Sequence, residues 1–404
     1  MYIVPPCAFS ENLCNTHHLF QYWRTKENPD PQKPNQDAFL LPRVVLKADG
    51  GIDTIIVAVF DGHGRHGDLA ANIARDYLND LCELNIGLFR NWNARKWSQQ
   101  IPKIFEEMHN RIRRAFLRLL DPIPSVTEEG VLLDERGNFI SGGTTATLFV
   151  LKGNEDGSFS WVCANVGDSP ASLITMPNYG NPGSVRQITA DHSPLDQAEW
   201  LRMHSAPYKN HPKGPLNSFY ENPVLPCFTD EGVLIAYDGA KFKIKNFKKE
   251  RSVYVRDAIN PRDCKISLAF TRALGDFQAH PCGVTYVPSV AEGNIPPGVD
   301  FRVILYTDGV GDCETEEWGI GNVLHKTPLQ RLLIASEGVF TECFHVANKT
   351  FGGTRDDMTM VVMAVSSIFP RYAAAGFQAS AAIPDAEASI HLAKRSKDGA
   401  AAGP

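Results

Sequence analysis

Thr54-Ile55-Ile56-Val57-Ala58-Val59-Phe60-Asp61-Gly62-His63-Gly64 decides how this chain is read. The run Thr54 to Phe60 is almost wholly apolar and rich in β-branched side chains, as a strand buried on both faces would be. It stops at a carboxylate followed by glycine, where the backbone can be approached closely. That combination suits a hard cation that takes several oxygen ligands. The same junction recurs. The run Phe301 to Thr307 ends on Asp308 and Gly309, the run Ser160 to Val166 ends on Gly167 and Asp168, and Asp356 stands just before Met358 to Val365. Asp312 follows Asp308 at four residues. So many carboxylates cannot all stay ionised in one cleft unless cations neutralise them, because like charges at close range force protonation. A single strand-end aspartate is an ordinary turn former. The set predicts a multi-metal site made of oxygen ligands.

Bulk properties narrow the classes around that site. The chain has 404 residues, and its motifs spread too evenly for two independent units, so one large domain with short extensions is expected. A hydrophobic content of 43% is ample for a core, and a net charge of -6 gives no general attraction to nucleic acid or anionic membranes. Nine cysteines, scattered from Cys7 to Cys343 without zinc-ligand spacing, argue for reduced thiols rather than a disulfide framework. No signal-peptide pattern opens the sequence, and no apolar stretch approaches the roughly 18 residues that span a bilayer. These features predict a monomeric protein of the cytoplasm or nucleus, with neither nucleic-acid nor membrane partners.

Two helices are legible from their spacing. Leu69, Ile73, Tyr77 and Leu81 recur at intervals of four, and Ile101, Phe105, Met108, Ile112 and Phe116 form a second stripe. Arg111, Arg113, Arg114 and Arg118 surround the second stripe and are read as a solvated face, given the acidic balance of the chain. Short apolar runs closed by turn residues follow: Thr145 to Leu151, Trp161 to Val166, Ser172 to Thr175, Ser267 to Phe270 and Arg302 to Thr307. They suggest antiparallel sheet with segregated helices, an α+β arrangement. Further helices are expected at Pro328 to Ser336 and Phe340 to Lys349. From Ala373 to Pro404 the sequence is rich in alanine and has no sustained apolar stripe, which reads as a disordered tail.

Eight short motifs taken together resemble the metal-dependent protein phosphatases, the type 2C serine/threonine phosphatase family. In chain order they are Asn35-Gln36-Asp37, Asp61-Gly62-His63-Gly64, Ser141-Gly142-Gly143-Thr144-Thr145-Ala146 and Asn165-Val166-Gly167-Asp168-Ser169. Then come Asp191-His192-Ser193-Pro194, Thr271-Arg272-Ala273-Leu274-Gly275-Asp276, Asp308-Gly309-Val310-Gly311-Asp312 and Asp356-Asp357-Met358-Thr359. Each is weak alone; their order across residues 35 to 359 is specific.

The resemblance implies a four-layer α/β/β/α sandwich with two central antiparallel sheets flanked by helices. Its implied boundaries are an N-terminal extension over 1–20, a catalytic domain over 21–368 and an Ala-rich tail over 369–404. It also implies hydrolysis of phosphoserine and phosphothreonine in protein substrates with two Mn or Mg ions and a third, weaker metal, and no phosphoenzyme. Carried over by position, Asp61 bridges two metals, the Gly62 carbonyl binds one, and Asp308 and Asp356 complete the first metal's shell. Gln36 and Asp37 fall at the second metal, Asp168, Asp308 and Asp312 at the third, and His63 at the general acid.

Three positions depart from the family pattern. Gln36 replaces a glutamate, Gln32 replaces a basic phosphate-binding residue with Lys33 one place later as its substitute, and Asp357 replaces an asparagine. The first two departures support a competing reading as an impaired phosphatase that binds phosphoproteins or acts as a regulator. A haloacid-dehalogenase mechanism is disfavoured, since His63 stands where a second aspartate would be needed after Asp61. Between Pro194 and Thr271 the chain is much longer than the family's usual flap, giving an insertion at about 196–266. Within it Asp238-Gly239 sits between Val233 to Tyr237 and Ala240 to Lys245, a hairpin signal with Lys241, Lys243 and Lys245 on one face.

Overall fold

Alternation along the strand Ile52–His63 divides its side chains between two cores: Ile56, Ala58 and Phe60 face helices, whereas Ile55, Val57 and Val59 face a second sheet. That is why the run reads as continuously apolar. The computed structural model describes residues 12–13, 18–84, 93–177, 182–204, 216–220, 225–229, 233–235, 253–257, 266–314 and 319–366. The principal strands are β1 (His18–Lys26), β2 (Asp37–Leu46), β3 (Ile52–His63), β4 (Gly143–Thr144), β5 (Ala146–Gly153) and β6 (Phe159–Val166). They continue with β7 (Ala171–Thr175), β8 (Ser184–Gln187), β9 (Leu274–Gly275), β10 (Ser289–Ile295), β11 (Phe301–Tyr306) and β12 (Met358–Ser366).

One sheet runs β1-β12-β11-β7-β8, with Asn12–Leu13 outside β1; the other runs β9-β4-β3-β5-β6-β10, with β2 also on β3. Neighbouring strands in both are antiparallel. Helices α1 (Gly67–Leu84) and α2 (Ala94–Leu119) cover the outer face of the second sheet. Helices α5 (Ile320–Lys326) and α6 (Leu332–Phe351) cover the first. Leu19, Trp23, Phe149, Trp161, Val303 and Met363 fill the space between the sheets. The four-layer α/β/β/α sandwich is therefore the observed architecture, and burying each such large side chain contributes ~1.5–3 kcal/mol.

The α2 stripe is as expected: Ile101, Phe105, Met108, Ile112 and Phe116 are all buried. Three of its arginines are engaged within the chain, Arg111 and Arg114 with Glu107 and Arg113 over the Phe277 ring. On α1 the buried face is a different one. Ala70, Ala71, Ala74, Leu78 and Cys82 point inward, and Leu69, Ile73, Tyr77 and Leu81 flank them half-buried. Small residues let the helix approach β2 and β3 closely, so the larger stripe is pushed to the sides.

The two expected helices are one: α6 runs unbroken through Ser336 and Phe340 to Lys349, while Pro328 lies outside it as the N-cap of a 3-10 turn at Leu329–Arg331. Gly338 weakens a helix by roughly 1 kcal/mol against alanine. The helix continues because Ser336, Val339, Phe340 and Cys343 are buried around it.

Ser267 to Phe270 is not a strand. Leu268 makes one bridge to Val255, and Ile266, Leu268 and Phe270 pack in a small satellite core with Met203 and Val284. Strand β1 begins at His18, inside the stretch read as an extension. In the flap insertion, α3 (Gln197–His204) and a three-stranded sheet of Leu216–Tyr220, Leu225–Pro226 and Val253–Asp257 are described. The lysine-bearing arm of the hairpin and the Ala-rich tail lie outside the described residues, and of the hairpin's first arm only 233–235 is described. The five cysteines Cys82, Cys163, Cys227, Cys313 and Cys343 are buried and free, and none of the described helices is long and apolar enough to cross a membrane.

Candidate metal centre

Strand register assembles the site. Pairing of β2 with β3 sets Asp37 opposite Asp61. Tyr306 of β11 pairs with Met360 of β12, which brings Thr307 and α4 (Asp308–Gly311) beside the segment holding Asp356 and Asp357. Four acidic positions separated by up to 319 residues in sequence thus meet at the ends of two sheets. The Asp61 backbone is fixed by Thr145, whose Oγ1 accepts from Asp61 N at 3.0 Å and whose N donates to Asp61 O at 2.8 Å. Gly62 has no room for a side chain, because a Cβ there would strike the carbonyls of Gln36 and Gly67.

Mutual repulsion is visible in the acids themselves. Burial pushes the Asp61 carboxyl well above the usual carboxylate range, and the charges of Asp308, Asp37 and Asp356 push the same way. Asp37 is likewise held well above it by burial and by Asp357 and Asp356, against the neighbouring hydroxyls of Thr359 and Thr307. Asp37 Oδ2 accepts from Thr307 Oγ1 at 2.9 Å, but its Oδ1 is buried with no hydrogen-bond partner. A buried acceptor with nothing to accept from, among neighbouring carboxylates, has the character of an oxygen ligand awaiting a hard cation. Among the described residues no three acidic, histidine or cysteine side chains stand close enough together to enclose an ion as placed; carboxylates and a backbone carbonyl are the donor types that Mn or Mg takes.

Asp356 lies at the rim with 54% of its side chain exposed, 3.4 Å from the Lys33 ammonium. Burial lowers the Lys33 pKa, but Asp356, Asp357 and Asp61 outweigh it and hold the amine above its ordinary value. Asp168 follows β6, and its charge bears on His63. Asp312 donates its N–H to the Asp308 carbonyl at 2.7 Å, closing α4. Two departures from the family pattern are occupied otherwise than expected. Asp357, 2% exposed, takes Asn28 N and Nδ2 on Oδ1 at 2.7 and 2.8 Å, and Gln36 N on Oδ2 at 2.9 Å. Its charge is spent on N–H donors. The Gln36 amide Nε2 donates to the Gly64 carbonyl at 2.7 Å.

Sequence reasoning missed one residue of the site. Asp276, 1% exposed and in the left-handed region at φ 45°, places Oδ2 2.6 Å from His63 Nε2. Register explains the meeting: Gly143 of β4 pairs with both His63 of β3 and Gly275 of β9. Gly143 must lack a Cβ, which would stand 2.8 Å from His63 Nε2 and collide with the Asp276 carboxylate. Burial works against charge on His63, but Asp276 outweighs it, with Asp168 and the Asp61 backbone, and the imidazole is held above its ordinary range. The residue was in view within Thr271 to Asp276, and no local pattern reports a cross-strand partner.

The Asp276 loop rests on neutral histidines. His109 Nδ1 accepts from Gly275 N at 3.2 Å, and His280 Nε2 lies 2.7 Å from the Gly275 carbonyl. His192, beside Gly167 and Ser289, is buried as well. Burial first, then neighbouring cations, lowers His109 and His192 to about 2 and about 4; burial also outweighs Asp276 and lowers His280 to about 4. A base whose folded pKa is depressed costs stability once the unfolded chain can protonate, so stability is full above pH 6.5 and falls as pH drops toward 4. With one pKa unit equal to about 1.36 kcal/mol, the loss is of order 3 kcal/mol for His192. Thermal melts in chelator at pH 7.5 and pH 5 are expected to differ more for the wild type than for His192→Gln; equal differences would refute the assignment.

A family model for protein phosphatase 2C matches residues 24–349. The chain is 24% identical over 304 residues to probable protein phosphatase 2C 12 of Oryza sativa subsp. japonica, covering 70% of this chain and 66% of that protein. It is also 24% identical over 320 residues to protein phosphatase 2C homolog 3 of Schizosaccharomyces pombe, covering 76% and 56%. The chain thus spans less than two thirds of the length of these relatives. Among solved structures it is similar to a serine-threonine phosphatase 2C from Toxoplasma gondii, with a TM-score of 0.53, 17% identity, and 90% and 100% of the two chains covered. At that identity the likeness concerns the fold.

Proposed function

The chain belongs to the protein phosphatase 2C family, and from that premise we propose that it hydrolyses phosphoserine and phosphothreonine in proteins, by direct attack of water. The observation that carries this reading is the cluster of Asp61, Asp37, Asp308 and Asp356, mutually repelling and including a buried, unpartnered carboxylate oxygen.

Asp61, the Gly62 carbonyl, Asp308 and Asp356 would hold one divalent cation, Asp61 and Asp37 a second, and Asp168, Asp308 and Asp312 a weaker third. Bound Mn or Mg supplies a nucleophilic water at neutral pH and neutralises phosphoryl oxygens as charge shifts to the leaving group. The protein's own part is to hold the carboxylates of Asp37, Asp61, Asp308 and Asp356 near one another and to fix the Asp61 backbone through Thr145. Lys33, at the rim beside Asp356, would orient an anionic phosphoryl group. His63, held by Asp276, would give a proton to the departing serine or threonine oxygen. No side chain is asked to act as a nucleophile, so no phosphoenzyme forms. Phosphorylated proteins are the substrates under this reading, acted on by a monomer in the cytoplasm or nucleus. Phosphate release from a phosphothreonine peptide by the purified protein, with and without Mn, tests it.

A further inference from the structure

Gln36 is 3% exposed, and three of its polar groups reach two segments of the site, one partner in the loop of Asp356 and Asp357 and two in the turn that follows Asp61. Its N–H donates to Asp357 Oδ2 at 2.9 Å, its carbonyl accepts from Gly62 N at 3.1 Å, and its side-chain Nε2 donates to the Gly64 carbonyl at 2.7 Å. The side chain lies against helix α1: a Cβ on Gly67 would come within 2.7 Å of Nε2. On the other side Asp357 is tied to Asn28 by two further N–H bonds. Gln36 therefore spans the turn that carries Asp61 and His63 and the loop that carries Asp356.

We propose that Gln36 is a positioning residue that braces these two ligand-bearing segments against each other and is not itself a ligand of the second cation. The inference rests on the proposed metal-dependent activity. Two adjacent residues divide the work. Asp37 keeps a buried oxygen without a partner, whereas the Gln36 amide nitrogen is committed to the Gly64 carbonyl. Only an N–H donor can serve there, since an ionised carboxylate is an acceptor and would face another acceptor across the same 2.7 Å. The second cation's affinity then depends on Asp37 and Asp61.

Calorimetric Mn titrations of the full chain carrying Gln36→Glu, Gln36→Met or Asp37→Asn, with melts in chelator, decide the matter. Gln36→Glu and Gln36→Met are expected to lower the metal-free melting midpoint, and Gln36→Glu to tighten Mn binding by less than about fivefold, whereas a carboxylate placed in the shell would exceed that. Asp37→Asn is expected to weaken Mn binding by about tenfold or more. At saturating Mn, Gln36→Met should lower kcat on a phosphopeptide with KM unchanged, as the turn bearing His63 shifts, which simple loss of stability would not do. Tightening beyond about fivefold in Gln36→Glu, or an unchanged kcat in Gln36→Met, overturns the brace. If the wild type binds no Mn, the metal-dependent reading falls and the brace with it; if it binds Mn and Gln36→Glu tightens it, only the brace falls.

Discussion

Asp61→Asn is expected to lower phosphate release from a phosphothreonine peptide by roughly 10³-fold or more, the scale of losing one member of a catalytic unit. The exchange removes the carboxylate on which Asp37, Asp308 and Asp356 converge, and under the proposed assignment both main cations would lose a ligand at once. Folding should survive it. The Asp61 backbone hydrogen bonds to Thr145 do not use the side chain, and amide for carboxylate is nearly isosteric. Stability should move the other way from activity. Burial and three like charges hold the Asp61 carboxyl above its usual range, so its ionised form opposes folding at neutral pH when no cation is present. The metal-free variant should melt at or above the wild-type midpoint, and Mn should stabilise it less. Asp312→Asn is the control: it lies one turn from Asp308 and should leave most of the rate at saturating Mn. Equal, small losses from both substitutions would remove Asp61 from the bridging position.

The second large effect is on His63. His63→Gln should cost about 10²- to 10⁴-fold on phosphopeptide, the range for general acid catalysis, and much less on p-nitrophenyl phosphate, whose leaving oxygen hardly needs a proton. Asp276→Asn should share the same substrate dependence at a smaller size, because it loosens the ring instead of removing it. With the fold unchanged by circular dichroism, an identical loss on both substrates would exclude His63 as the proton donor.

Asp61, Asp168 and Asp308 were legible because each stands at the end of an apolar run, and a run's end is a local property, whereas Asp37, which opens β2, was assigned only through the motif resemblance. Asp61 after Phe60, Asp308 after Thr307 and Asp168 after Val166 could be placed without knowing any partner. The outward packing of α1 was not, since its alanines carry little hydrophobic signal while Leu69 and Tyr77 carry much; only the closeness of β3 explains which face is buried. Asp276 was quoted in a motif yet given no role, because its contact with His63 arises from two successive cross-strand pairings through Gly143. From the family pattern Gln36 was read at the second metal, and Asp357 as a replacement for an asparagine. Their hydrogen bonds to Gly64, Asn28 and each other are long-range in sequence, and they turn both departures toward holding loops.

The most direct measurement is the initial rate of phosphate release from a phosphothreonine peptide across a Mn titration, beside the same protein in excess chelator and after Mn is restored. Oxygen-only ligands bind these cations with modest affinity, so the apoenzyme should be silent and its activity should return with added Mn. Undiminished release in excess chelator would contradict the account.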